Sequence, residues 1–187
     1  MINFDMTNEK YHTHKDVLSA SGTKTIAYDD LATFKYAERK ESAAFDVGTA
    51  THTFVFQPEN ADDVWMGAAD RRGLAWKKTK LEAEEAGALL LTEGDYLLAH
   101  DMAEAVRANK EAAMLLSGDL VCEASVFAKH ERTGIEIRCR PDGWRRDIGA
   151  LIDLKTTITS DPSGFGKQCA NFGYHVQDQH YRMCMEA

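Results

Sequence analysis

The sequence predicts an α/β chain of the α+β kind, with helices in the first half, a small β-sheet after residue 120 and a closing helix. Three observations carry this. Apolar residues recur near helical spacing from about Ala44 to Val55 and again from Thr92 to about Leu116. The period switches to two from Leu120 onward, and helical spacing returns between Tyr174 and Ala187. The 187 residues are one domain's length and show no repeat or low-complexity stretch, so residues 1–187 are expected to form a single domain.

Composition narrows the function classes. Hydrophobic residues make up 44% and charged residues 28%, which is ordinary globular usage and excludes extensive disorder. The longest apolar run, Ala112 to Leu116, is far below the roughly 18 residues a membrane span needs. Met1 to Asp16 lacks the basic start and apolar middle of a secretory signal, so a cytoplasmic protein is expected. The net charge of −8 argues against indiscriminate coating of nucleic acid, yet it leaves room for a local basic groove. Cysteines at 122, 139, 169 and 184 include no C-x-x-C pair, which disfavours zinc and iron–sulfur sites and predicts reduced, mostly buried thiols.

Taken in order, Ser19-Ala20-Ser21-Gly22-Thr23 supplies N-cap residues ahead of a helical stretch with Ile26, Leu31 and Phe34. The helix from Ala44 sets Phe45, Gly48, His52 and Val55 or Phe56 on one face and ends at Gln57-Pro58-Glu59-Asn60. Arg71, Arg72, Lys77, Lys78 and Lys80 fall within ten residues around Trp76. Two readings stand there: a solvated helix with Lys78–Glu82 and Lys80–Glu84 pairs, or a phosphate-contacting arm with an aromatic for stacking. Thr92, followed by Asp95, opens a long helix whose buried stripe is Tyr96, Ala99, Ala103, Val106 and Ala113.

From Val121 to Lys129 and from Ile135 to Asp142 the residues alternate around a turn at Glu131-Arg132-Thr133-Gly134, as in a β-hairpin. With facing positions summing to 265, Cys122, Ala124, Val126, Ala128, Ile137, Cys139 and Pro141 share the core side. The other side carries Glu123, Ser125, Arg138 and Arg140, with Glu123 opposite Asp142. A turn over Gly143 to Asp147 leads to a third strand, Ile148 to Lys155, on which Asp153 and Lys155 point the same way. A loop at Asp161-Pro162-Ser163-Gly164 precedes the last helix, where Gln177 and Tyr181 lie one turn apart.

Two carboxylates on adjacent strands with a lysine two residues past the second give the pattern R-P-D-x(10)-D-L-K, formed by Asp142, Asp153 and Lys155. Carboxylate oxygens suit Mg²⁺ or Mn²⁺, and a positioned ammonium can offset the charge of a phosphodiester transition state. A surface ion pair on a solvated hairpin is the alternative reading of the same residues.

Five segments in order resemble the PD-(D/E)XK nuclease superfamily: Gly48-Thr49-Ala50-Thr51-His52, Glu123, Arg140-Pro141-Asp142, Ile152-Asp153-Leu154-Lys155 and Gln177-x-x-x-Tyr181. Ser19-Ala20-Ser21, Arg72-Gly73-x-x-Trp76, Leu91-Thr92-Glu93 and Gly173-Tyr174-His175-x-Gln177 are similar to segments of its RecE-type, exodeoxyribonuclease VIII-like phage and prophage members. The likeness runs from about Tyr11 onward. It implies a restriction-endonuclease-like core, a small mixed β-sheet flanked by helices. It also implies a Mg²⁺ or Mn²⁺ site, with two ions, held by His52, Asp142, Asp153 and the Leu154 carbonyl. Lys155 would be the catalytic lysine, Glu123 an accessory carboxylate, and Gln177 and Tyr181 would line the active site.

The implied activity is double-strand DNA exonucleolysis, 5′ to 3′, leaving 3′ overhangs for a single-strand annealing recombinase. Relatives of this type assemble as rings, in which Arg71, Arg72, Trp76, Lys77 and Lys78 would line the inner channel and Arg140 would add a DNA contact near the metal. A non-catalytic DNA- or partner-binding module on the same fold is the alternative, and the intact His52, Asp142, Asp153 and Lys155 argue against it. Two departures stand out: the second carboxylate is Asp153 where some relatives carry Glu, and the chain stops at Ala187 where the family continues into further elements.

Overall fold

The first nineteen residues, which carry no helical or alternating signal, supply both outer strands of the largest sheet. In the computed structural model, which describes residues 1–37 and 43–187, the chain opens with β1 (Ile2–Asn3), α1 (Asn8–Thr13), β2 (Leu18–Ser19), α2 (Ala20–Tyr28) and α3 (Leu31–Tyr36). There follow α4 (Ala43–Phe56), a 3₁₀ turn over Pro58–Asp63, β3 (Val64–Met66), α5 (Leu74–Ala86), β4 (Leu89–Leu91), α6 (Glu93–Ala108) and α7 (Lys110–Leu115). The second half holds β5 (Leu120–Cys122), β6 (Ser125–Lys129), β7 (Glu136–Cys139), β8 (Gly143–Arg145), β9 (Ala150–Ile152), α8 (Pro162–Asn171) and α9 (Tyr174–Glu186).

The predicted hairpin is present in the predicted register. Val126 faces Cys139 and Ala128 faces Ile137 in the β6–β7 half, while Leu120 faces Arg145 and Cys122 faces Gly143 in the β5–β8 half. One ribbon thus keeps one register through two sheets. It breaks at Glu123, whose φ of 56° puts a non-glycine residue in the left-handed region and turns the strand. One half joins β1 and β2 in a mixed sheet of order β1-β6-β7-β2, with β2 parallel to β7. The other half joins β9 in the antiparallel sheet β5-β8-β9. The expected turn over Gly143 to Asp147 is therefore corrected: Gly143–Arg145 is strand, and the third strand is confined to Ala150–Ile152.

The helices follow their caps. Ser19 caps α2 by accepting from the Gly22 N–H, and Thr92 caps α6 by accepting from the Asp95 N–H. Asp30 and Asn109 do the same for α3 and α7, so each stretch expected as one helix is two, since a cap side chain there satisfies a new helix start. The segment read as a loop at Asp161-Pro162-Ser163-Gly164 is the start of α8, with Asp161 capping the Gly164 N–H and Pro162 at the first helical position.

The main core lies between α4, α6 and the parallel pair β3–β4, where Ala50, Phe54, Leu91, Ala99 and Ala103 are buried. A second cluster, Val126, Ile137, Cys139 and Cys184, seats α9 on the hairpin. Phe45, at the start of α4, is exposed. The polar side of the hairpin is not solvated: Ser125 and Arg138 are buried, and the Arg138 guanidinium lies 4.4 Å from the Tyr11 ring of α1. All four cysteines are free thiols, of which Cys139 and Cys184 are buried. Among the described residues no helix is long and apolar enough to cross a membrane.

Candidate active site

The ribbon's break and the β8–β9 pairing gather the predicted carboxylates. Gly143 faces Ile152, and one step further along the antiparallel register sets Asp142 beside Asp153. The Glu123 N–H donates to the Asp142 carbonyl at 3.2 Å, and the Leu154 N–H donates to Asp142 Oδ2 at 2.6 Å. From α4, His52 Nδ1 comes within 3.4 Å of the same Oδ2. Gly143 permits that approach: a Cβ there would lie 3.2 Å from Phe56 Cε1, one turn after His52, and 2.9 Å from Leu120 Cδ1.

Helix α9 closes the other side. The Gln177 amide donates to Asp153 Oδ1 at 2.6 Å and to Tyr181 Oη at 3.1 Å, and Tyr181 Oη donates to the Arg140 carbonyl at 3.2 Å. The Lys155 ammonium forms an ion pair with Asp153 Oδ2. Lys24, on α2, donates to Gln177 Oε1 at 3.3 Å, so every polar atom of the Gln177 amide has a partner. Sequence reasoning did not single out Lys24, although it lies next to the quoted Ser19 to Thr23 segment.

Burial, and then the charge of Asp142, push the Asp153 carboxyl above the usual carboxylate range, with Lys155 acting against them. Burial raises Glu123 too, against the pull of Arg140, whose Nε donates to Glu123 Oε2 at 2.6 Å. For His52, burial favours the neutral ring, but the bond to Asp142 and its charge together outweigh burial and raise the imidazole. Burial raises the Tyr181 phenol, which stays a neutral donor.

Among the described residues no three histidine, cysteine or acidic side chains already form a metal-ready cluster. Lys155 and Gln177 engage both oxygens of Asp153, while the Leu154 N–H and His52 engage Asp142 Oδ2. The donor set still fits a hard divalent cation. Two carboxylates close enough for one to raise the proton affinity of the other are held at the cost of repulsion, which a cation offsets, and an imidazole stands beside them. Leu154 enters the site here through its N–H, and Glu123 as the partner of Arg140.

The basic decade is local in its pairing. Arg71 reaches Asp95 at 3.3 Å and Arg72 bonds Asp70; Lys78 and Lys80 form the i,i+4 pairs with Glu82 and Glu84. Lys77 is exposed. Trp76 is corrected: it is 8% exposed and packs over Gly67, so its ring is part of the α5 core contact and is not offered for stacking on a base.

Small mixed and antiparallel sheets flanked by helices are the architecture of a PDDEXK-like fold. The chain belongs to the family described as a PDDEXK-like domain of unknown function (DUF3799), whose profile matches residues 21–187. No curated protein matches it. The matched span contains every residue of the carboxylate site, while β1, α1 and β2 precede it.

Proposed function

We propose that this chain is a divalent-metal-dependent exodeoxyribonuclease of RecE type. It would act on duplex DNA ends, 5′ to 3′, and leave 3′ overhangs for recombination by strand annealing. The observation that carries this reading is the convergence of Asp142, Asp153, Lys155, His52 and Gln177 from three separate parts of the fold. A Mg²⁺ or Mn²⁺ ion, two by the resemblance, held by Asp142, Asp153 and His52 would polarise the scissile phosphate and activate the attacking water.

The chain's own residues supply the rest. Gln177 fixes the orientation of Asp153, and its other amide proton fixes Tyr181. The Lys155 ammonium, on a flexible stem, is placed to meet negative charge developing on phosphate oxygens once it leaves Asp153. Arg140 brings a second cation to the same edge. With a net charge of −8, a basic path for DNA has to be confined, and an inner channel of a ring-shaped homo-oligomer meets that requirement. Residues 1–187 would act as one nuclease domain in the cytoplasm of a bacterial host, with an annealing recombinase receiving the overhang.

End-labelled linear duplex incubated with Mg²⁺ tests the reading: 5′ label is released first and circular duplex survives. A chain that cleaves neither substrate above background would be a binding module, the reading favoured by the occupation of both Asp153 oxygens by Lys155 and Gln177.

A further inference from the structure

The corner between α8 and α9 holds an aromatic stack that neither the core nor the carboxylate edge uses. Phe172 ends α8, and its ring stacks on that of Tyr174, the first residue of α9, with centroids 5.9 Å apart and planes at 25°. Phe165 of α8 stands 6.2 Å from the Tyr174 ring. Phe172 nevertheless stays 57% exposed. A single exposed aromatic is ordinary on a protein surface; this one differs in what holds it and in what surrounds it.

The corner is seated in one position. Gly173 has a φ of 63°, and a Cβ there would lie 2.6 Å from Tyr28 Cε2 and 3.1 Å from Lys24 Cδ, so glycine is what lets the turn close against α2. A hydrogen bond 3.2 Å long between Tyr28 Oη and His175 Nε2 ties the two sides together. The stack is therefore presented ready-ordered, with little freedom left to lose on binding.

The surroundings select the occupant. The Lys155 ammonium lies 5.3 Å and the Lys24 ammonium 5.9 Å from the Tyr174 centroid, so the stack begins at the cations of the carboxylate edge and ends in solvent at Phe172. From Pro162 to Gln177 the chain has no Asp or Glu, although it carries 30 in all, and Lys167 and His175 are exposed on that stretch. An acid-free surface of rings and cations suits a flat group joined to a phosphate, the ring lying on Phe172 and the phosphate near an ammonium. A nucleobase of a DNA strand has that form. An apolar protein partner would make no use of the cations.

We infer that Phe172 and Tyr174 form a nucleobase-stacking platform, which receives an unpaired base of a DNA strand whose phosphates lie toward the Asp142–Asp153 edge. That the strand is a substrate rests on the proposed function; the platform itself rests on the exposed ring pair and its cations.

Fluorescence anisotropy of a labelled single-stranded oligodeoxyadenylate on the full chain, in EDTA, tests the platform without metal or cleavage. An abasic strand of equal length and charge is the control, and it should bind wild type about tenfold more weakly, the usual loss of one stacked base. Phe172→Ala should weaken the intact strand by about the same factor and leave the abasic strand unchanged, which a merely structural or electrostatic role would not do. Phe172→Leu, apolar but without a π face, should behave like the alanine variant, and Phe172→Trp should retain binding. Thermal melts check folding, and if Phe172→Ala fails to fold, the leucine and tryptophan variants carry the comparison. Equal binding of intact and abasic strands by wild type, no binding of either, or equal binding by folded Phe172→Leu and wild type overturns the platform. A smaller particle for Phe172→Ala in size-exclusion chromatography, with oligonucleotide binding unchanged, makes the ring a contact between copies of the chain and also overturns it. A chain that binds in a base-dependent way but cuts no duplex in Mg²⁺ refutes the nuclease reading alone, and one that cuts duplex but does not distinguish the abasic strand refutes the platform alone.

Discussion

His180 should prove to be the anchor that holds α9, and with it Gln177 and Tyr181, against the carboxylate edge. Its side chain is 1% exposed; Nε2 lies 2.9 Å from the Arg138 carbonyl and Nδ1 lies 3.1 Å from Thr23 Oγ1. Because a carbonyl only accepts, Nε2 must carry the proton that bonds it. His180→Ala removes the bonds to α2 and β7 together and opens a cavity the size of an imidazole. Two lost hydrogen bonds at about 1 kcal/mol each, plus about 1–2 kcal/mol for the void, give about 3–4 kcal/mol. Urea unfolding should show this loss with an unchanged slope, and the melting temperature should fall by about 2–4 °C per kcal/mol for a chain of this size. His180→Gln keeps a donor and should recover about half of the loss. A cost below about 0.5 kcal/mol for the alanine variant, typical of a surface change, would refute the anchoring argument.

Gly143→Ala places a methyl 2.9 Å from Leu120 Cδ1 and 3.2 Å from Phe56 Cε1, so overpacking should cost about 1–3 kcal/mol in denaturant unfolding. Trp76→Ala should cost about 3–5 kcal/mol of stability as a core deletion, and DNA binding by the folded fraction, measured by fluorescence anisotropy, should be unchanged. Asp153 is raised in the folded state by burial and by Asp142, so its contribution to stability is present below the ordinary aspartate value of 3.8 and is lost as pH rises through the elevated folded value. Asp153→Asn, which stays neutral, should therefore gain stability relative to wild type as pH climbs through that window, read from thermal melts at a series of pH values.

Where the sequence spoke clearly, local chemistry and tertiary structure agreed. The alternation from Val121 to Asp142 predicted the hairpin register because a slip of one residue would have exposed Val126, Ile137 and Cys139. The Ser19 and Thr92 caps marked true helix starts. Asp30, Asn109 and the Asp161-Pro162 pair were equally good starts, but the apolar spacing across Asp30 and Asn109 concealed two of them and a turn reading concealed the third. The short strands at either end of the N-terminal segment had no legible signal, since two-residue strands are made by pairing with β6 and β7 and not by their own pattern. Asp142, Asp153, Lys155, His52, Gln177 and Tyr181 lie together; the spacing pointed to the first three and the resemblance alone to His52, Gln177 and Tyr181. Lys24 and His180 were not singled out for the site, because their roles depend on which long-range neighbour covers them, a matter of packing that single-sequence periodicity does not encode. Trp76 is the converse case: an aromatic among lysines suggested stacking on a base, and packing on Gly67 decided otherwise.

On the proposed reading, Asp142, Asp153 and Lys155 form a metal-dependent phosphodiester-cleaving edge. The most direct test compares wild type with Asp153→Asn on 5′-end-labelled linear duplex in Mg²⁺, with EDTA as control and with both proteins shown to be folded by thermal melts. Mg²⁺-dependent release of label is expected from wild type and none from Asp153→Asn at equal or greater stability. Release at the wild-type rate by the folded Asp153→Asn protein would contradict it.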